Sequence, residues 1–332
     1  MTRSTRPLDA KLDRIRDGKY TPADFVIADA KDGDMSMGVA TPGFRPGPDG
    51  KPTTQPRPLS DYRDGMRKVT RSGQVDVMLM SLSSAETLSA EGLFDGSDVT
   101  PAVRLNDASD IWAYRGASYR KVPAIPFRTA RIDRALKVAD LGLYAATFYN
   151  DLAQDAATLN AYTAFRDEAS AKGMRHFLEV FNPAFDIDTN GMEIGHYIND
   201  TIARCLAGVS SEEYPLFLKI AYNGPRAMEE LASYDPGKLI VGILGGGVGT
   251  TRDTFELVSQ AEKYGARIAL FGRKIYFAED STEIVAAMRR VVEGVQSSED
   301  AVRDYHDRLA KKGIKPTRAL EDDLQVTEAV LK

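Results

Sequence analysis

The stretch LFLKIAYNG, residues 216–224, decides the fold. Leu216, Phe217, Leu218, Ile220, Ala221 and Tyr222 make an apolar run of the kind that fills a buried strand. A helical pattern precedes the run at 191–206 and another follows at 227–234. Strands that alternate with helices pair in parallel through crossovers. The alternation continues in both directions. Strand candidates fall at 25–30, 75–81, 102–106, 141–149, 176–181, 217–222, 239–244 and 267–271. Helical patterns at 129–139, 153–172, 251–264 and 282–296 separate most of the others. Eight such units in 332 residues predict an α/β chain folded as a (β/α)8 TIM barrel, for which about 250 residues is typical. An open doubly wound sheet is the alternative, and the count of eight favours the barrel.

The remaining residues frame that barrel within one domain, 1–332. An amphipathic helix at 8–18, inside the N-terminal segment 1–20, puts Leu8, Leu12 and Ile15 on one side and ends at Gly18. The barrel is expected over 21–296. The segment 41–60, TPGFRPGPDGKPTTQPRPLS, is too rich in proline and glycine for a helix or a central strand. It follows the first strand, on the face where barrels carry their sites, and reads as a lid, a subunit contact or an ordinary solvated loop. The tail 297–332 is highly charged, with one helix expected at 299–312 and no chemistry assigned to it.

Composition narrows the functional classes. Hydrophobic residues make up 43% and charged residues 27%, enough for a sizeable core. Net charge is −5 and no long basic run occurs, so nucleic acid and anionic membranes are poor partners. Cys205 is the only cysteine, which removes a disulfide framework and a multi-cysteine metal site and suits a reducing compartment. Without an apolar leader or an 18-residue apolar run, the chain reads as cytoplasmic. Helical outer faces and the charged tail suit a homo-oligomer.

The chemistry centres on Lys219, in the middle of the opening stretch. Desolvation disfavours an ammonium, so a lysine in an apolar wall tends toward the neutral nucleophile that attacks a carbonyl to form a Schiff base. The plainer alternative is a strand lysine that snorkels or pairs with a carboxylate. On the fifth strand Glu179 shares a side with Phe177 and Phe181, where a carboxylate is costly unless paired. It lies one strand from Lys219 and could pair with the amine or shuttle protons. Asp29 ends the first strand, with Lys31 and Asp32 just beyond. Tyr144 shares a face of the fourth strand with Ala146 and Phe148, as a phenol donor or as core. At the end of the seventh strand, Gly245, Gly246 and Gly247 precede a helix from Thr251, an arrangement that brings backbone N–H groups and a helix N-terminus to an anion. Gly272 and Arg273 end the eighth strand, and Arg273 would add charge-assisted bonds to phosphate. The glycine run matches neither a dinucleotide fingerprint nor a nucleoside-triphosphate loop. His176, His196 and His306 fall in no ligand spacing and dense acidic triplets are absent, so neither a metal nor another cofactor is expected.

With these motifs in place, the chain resembles the class I, Schiff-base aldolases of the barrel superfamily. That superfamily includes tagatose-bisphosphate, sulfofructose-phosphate and deoxyribose-phosphate aldolases and the archaeal-type fructose-bisphosphate aldolases. FLE on the fifth strand, a lysine on the sixth and GR after the eighth are most similar to the tagatose-bisphosphate and sulfofructose-phosphate branch. The resemblance covers about residues 21–295. It implies that Lys219 is the Schiff-base lysine, that Glu179 transfers protons and that Asp29 is the first-strand aspartate. It places Gly245, Gly246, Gly247, Gly272 and Arg273 at the phosphate of a small phosphorylated or sulfonated sugar. Two positions depart from the pattern. Tyr144 stands where the tagatose-bisphosphate branch has a second lysine, and Asn182 near the place of an archaeal fifth-strand tyrosine. The implied activity is a metal-independent aldehyde-lyase. A transaldolase-like or thiolase-like barrel, or a barrel that only binds a phosphorylated metabolite, are the alternatives.

Overall fold

The eight apolar runs become eight parallel strands that close on themselves in the computed structural model, which describes residues 6–47 and 52–332. The strands are β1 (Val26–Lys31), β2 (Val77–Met80), β3 (Thr100–Arg104), β4 (Leu141–Thr147), β5 (Arg175–Phe181), β6 (Leu218–Ile220), β7 (Gly242–Leu244) and β8 (Ile268–Phe271). Each bonds to its neighbours in the chain, and β1 bonds to both β2 and β8, so this sheet has no free edge. The expected barrel is therefore present, with every strand where the sequence places it.

Side-chain alternation divides the core into two shells. Val26, Ala28, Val77, Leu79, Leu141, Leu143, Phe177, Phe217, Ile268 and Leu270 fill the barrel. Ile27, Met78, Val103, Leu178, Val180 and Ile220 point the other way and pack under the helices. Among those helices are α2 (Leu59–Ser72), α4 (Leu152–Lys172), α5 (Ile194–Leu206), α6 (Pro225–Tyr234), α7 (Thr251–Lys263) and α8 (Ser281–Val292). A further helix, α3 (Leu82–Ala90), follows β2. The helix expected at 129–139 is a single turn, Ile132–Ala135. Ile132 and Ala135 are core, and turns from Leu136 onward carry the chain to β4.

The N-terminal helix α1 (Pro7–Arg16) acts as a plug. Leu8, Leu12 and Ile15 are buried in the same cluster as the barrel interior. The amino-terminal end of the barrel is thus sealed by apolar contacts, which leaves the carboxyl ends as the open face. Leu12→Ala is expected to cost about 2–5 kcal/mol, because it opens a void against residues that cannot all collapse into it. Urea unfolding monitored by circular dichroism measures this directly.

The proline-rich insertion adds a two-stranded antiparallel hairpin, Phe44–Pro46 with Pro52–Pro56, outside the barrel sheet. Residues 48–51 of that segment lie outside the described residues, as do residues 1–5 of the N-terminal segment. The tail forms the expected helix, α9 (Ser298–Lys311). Among the described residues no helix is long and apolar enough to cross a membrane.

Candidate active site

The carboxyl ends of the strands surround a cavity of about 400 Å³. Its floor carries charge, built by the same alternation that fills the barrel below. Above Phe177 on β5 comes Glu179, and above Phe217 on β6 comes Lys219. The two phenyl rings stack at 4.6 Å, and the two charged residues occupy the same register directly above them. Lys219 Nζ lies 2.6 Å from Glu179 Oε1. Both side chains are nearly sealed from solvent, at 7% and 1% exposure, yet both line the cavity. The structure therefore brings together the two residues singled out from strands five and six.

Two further charges complete the floor. Arg104 ends β3 two residues after the inward-facing Ala102. Its Nη1 donates to Asp32 Oδ2 at 2.8 Å and lies 3.5 Å from Glu179 Oε2, while Nε donates to the Asn106 carbonyl at 3.0 Å. Asp32 follows β1 on the side of Ala28 and Ala30. The quartet of two cations and two carboxylates is neutral when all are ionised, which limits the cost of burying it. Burial pushes the Glu179 carboxyl up from its usual value, against the opposing pull of Lys219 and Arg104. Asp32 ends below the usual carboxylate value, since Lys219 and Arg104 together outweigh its burial. Of the two carboxyls, Glu179 is thus held the more basic and Asp32 the more acidic.

Two sequence expectations are corrected here. Asp29 does not line the cavity. It is fully buried on the opposite side of β1 from Ala28 and Ala30, paired with Lys31, whose ammonium lies over the Tyr276 ring. Asp32, three residues further on, lines the cavity instead. Tyr144 is also turned away. It packs against Tyr162 and Phe165 of α4, with ring centroids at 5.1 and 4.4 Å, and burial pushes its phenol up to about 12. It is core between barrel and helix. The second cation of the quartet is Arg104 of β3, 3.5 Å from Glu179 Oε2.

Of the glycines, Gly245, Gly246 and Gly272 line the cavity with Arg273, whereas Gly247 lies in the exposed part of the loop beyond it. Gly246 has φ +64, a conformation that side chains rarely adopt. A Cβ at Gly272 would sit 2.3 Å from the Ala30 carbonyl, so only glycine lets β8 leave the barrel this close to β1. Arg273 is exposed and has no carboxylate partner among the described residues. The start of α7, by contrast, is not open to an anion. The N–H of Thr250 goes to Asp253, that of Thr251 to Asp323, and that of Asp253 to the Thr250 hydroxyl. Two carboxylates already occupy the positive end of that helix. The tail that supplies Asp323 continues along the loop. Thr327 and Glu328 donate backbone N–H groups to Asp253, and Glu328 pairs with the buried Lys274 at 2.8 Å. The tail has a role after all: it fixes the glycine loop from behind.

Two loops cover the cavity mouth. Residues 33–41 and 111–120 both contribute to its lining, and they are tied to each other by Ala113 N–H donating to the Ser36 carbonyl and the Ser36 hydroxyl donating to the Ile111 carbonyl. Of the described residues of the insertion only Thr41 lines the cavity. The histidines serve elsewhere. His176 bonds the Tyr162 hydroxyl and is pushed down to about 3 by burial, His196 pairs with Glu230, and His306 with Asp323. Among the described residues no group of three or more His, Cys, Asp or Glu is placed to hold a metal ion.

No family model matches the chain, and no curated protein matches it in sequence. Solved structures match it in shape. A Schiff-base-forming fructose-1,6-bisphosphate aldolase superposes with a TM-score of 0.61 at 18% identity, over 86% of this chain and 99% of its own. An archaeal fructose-1,6-bisphosphate aldolase, with its catalytic lysine covalently bound to the carbinolamine intermediate, gives 0.61 at 17% over the same shares. The fructose-bisphosphate aldolase of Slackia heliotrinireducens DSM 20476 gives 0.62 at 12%, over 91% of each chain. At these identities the likeness establishes the barrel fold.

Proposed function

We propose that this chain is a class I aldolase that cleaves or forms a carbon–carbon bond next to a ketone through a Schiff base on Lys219. The observation that carries the reading is the buried Lys219–Glu179 pair in the cavity floor, at the carboxyl ends of adjacent barrel strands. Glu179, with its carboxyl raised by burial, accepts the ammonium proton and frees the amine. The amine adds to the carbonyl carbon, Glu179 returns its proton to the carbinolamine oxygen, which leaves as water, and a protonated imine forms with Glu179 ionised again. This cation draws in the electron pair of the bond being broken, leaving an enamine on Lys219 and releasing an aldehyde. Schiff-base aldolases among the neighbours in shape support the same chemistry.

The rim supports a class of substrate. Gly245, Gly246, Gly272 and the exposed Arg273 suit a phosphate or sulfonate held away from the reacting carbon, where binding energy positions the ketone. A ketose phosphate, or a sulfonated relative of the tagatose-bisphosphate or sulfofructose-phosphate kind, fits both ends. Borohydride reduction in the presence of dihydroxyacetone phosphate, followed by peptide mass mapping, tests the reading. The expected result is one reduced adduct on Lys219. An adduct on Lys31 or Lys274, or none with any short ketone phosphate, would overturn it.

A further inference from the structure

Beneath the cavity, two neighbouring side chains each keep one unused hydrogen-bonding position. Arg104 commits Nη1 to Asp32 and Nε to the Asn106 carbonyl, but Nη2 has no protein partner among the described residues. Glu179 commits Oε1 to Lys219, but Oε2 accepts no hydrogen bond from protein among the described residues and lies 3.5 Å from Arg104 Nη1. Both side chains are almost completely buried, and both residues line the cavity. A buried donor and a buried acceptor left open together fit one group above all, a hydroxyl, which accepts from the first and donates to the second.

Given the aldolase reading, on which this inference rests, one substrate hydroxyl has that need. It is the hydroxyl on the carbon that departs as the aldehyde. We propose that Arg104 is a catalytic residue that binds the oxygen of this hydroxyl through Nη2 while Glu179 Oε2 removes its proton. As the O–H bond breaks, its electrons form the aldehyde C=O bond. The carbon–carbon pair passes into the protonated imine and becomes the enamine on Lys219. The proton ends on Glu179, and Arg104 is unchanged. A guanidinium suits this post because it stays protonated and cannot take the proton itself. Its charge faces the negative charge that develops on oxygen, in a site nearly closed to water.

The experiment separates imine formation from cleavage. Dihydroxyacetone phosphate forms the imine but lacks the hydroxyl in question. Wild type, Arg104→Lys and Arg104→Met are compared by borohydride trapping with dihydroxyacetone phosphate, and by cleavage of whichever of fructose 1,6-bisphosphate, tagatose 1,6-bisphosphate and fructose 1-phosphate the wild type cleaves fastest. Trapping is expected to stay within about threefold, while cleavage by Arg104→Met falls roughly 10²–10³-fold and Arg104→Lys falls less. Cleavage within about threefold of wild type, or equal loss of trapping and cleavage in a folded variant, overturns the assignment. Absence of a Lys219 adduct in the wild type overturns the aldolase reading instead. Should the variants fail to fold, the crystal structure of the wild type reduced with that sugar phosphate decides. The hydroxyl oxygen within about 3.2 Å of Nη2 is expected, and beyond about 4 Å the proposal falls.

Discussion

Lys219→Met is expected to lower carbon–carbon cleavage by roughly 10⁴-fold or more and to erase the borohydride label, because nothing else in the cavity floor offers an amine. Methionine keeps the length and fills the same channel above Phe217 without the nitrogen. The substitution also changes the electrostatics. Glu179 loses the ammonium 2.6 Å away, and breaking a buried pair in this way costs about 3–5 kcal/mol if the remaining charge is kept. Glu179 has an alternative, since burial already raises its carboxyl and removal of Lys219 raises it further. A carboxyl whose folded value lies above its unfolded one favours folding at pH below the unfolded value and loses that contribution as pH rises through the folded value. The variant should therefore lose stability, relative to wild type, more at neutral pH than at acid pH. Urea unfolding at about pH 5 and about pH 8 reads that difference, and mass mapping reads the label. A folded variant that still cleaves within about tenfold of wild type would remove Lys219 from the mechanism.

What the sequence disclosed and what it concealed follow one rule, the two-residue period of a strand. Glu179 and Lys219 were legible because each stands two residues above an apolar partner, Phe177 and Phe217, that belongs inside the barrel. The same count along VIADAKD puts Ala28, Ala30 and Asp32 on the inner side and leaves Asp29 outside with Ile27. Asp29 was favoured because it ends the apolar run and matches a family position, and the period outranks both. Arg104 was available by the same counting from Ala102, as an arginine inside a strand candidate. Tyr144 shares its face with Ala146 and Phe148, and that face meets α4. The closed start of α7 was hidden for a different reason. Asp323 reaches it from 72 residues away, a contact that no local pattern encodes. Local propensity misled only at 129–139, where the chain makes one turn.

Glu179→Gln carries the other large expected effect, a fall in kcat of roughly 10²–10⁴-fold with the fold retained. The amide has the same shape and can accept a hydrogen bond from Lys219, but it cannot take a proton from the amine or from the departing hydroxyl. The pH profile identifies the group. In the wild type, activity needs Glu179 ionised, so kcat/KM should fall as pH drops through its raised value, above the ordinary 4.5. Asp32 is not the group expected to give that limb, because Lys219 and Arg104 hold it below the usual carboxylate value. Asp29 is raised as well, by burial, but it faces away from the cavity and touches no group in the quartet. The limb should thus be present in the wild type, absent from the residual activity of Glu179→Gln, and shifted upward in Arg104→Met, where one of the two cations that restrain Glu179 is gone. Rate measurements across about pH 4 to 9 on the three proteins make the test. A residual limb in Glu179→Gln at the wild-type position would assign the proton transfer to another group.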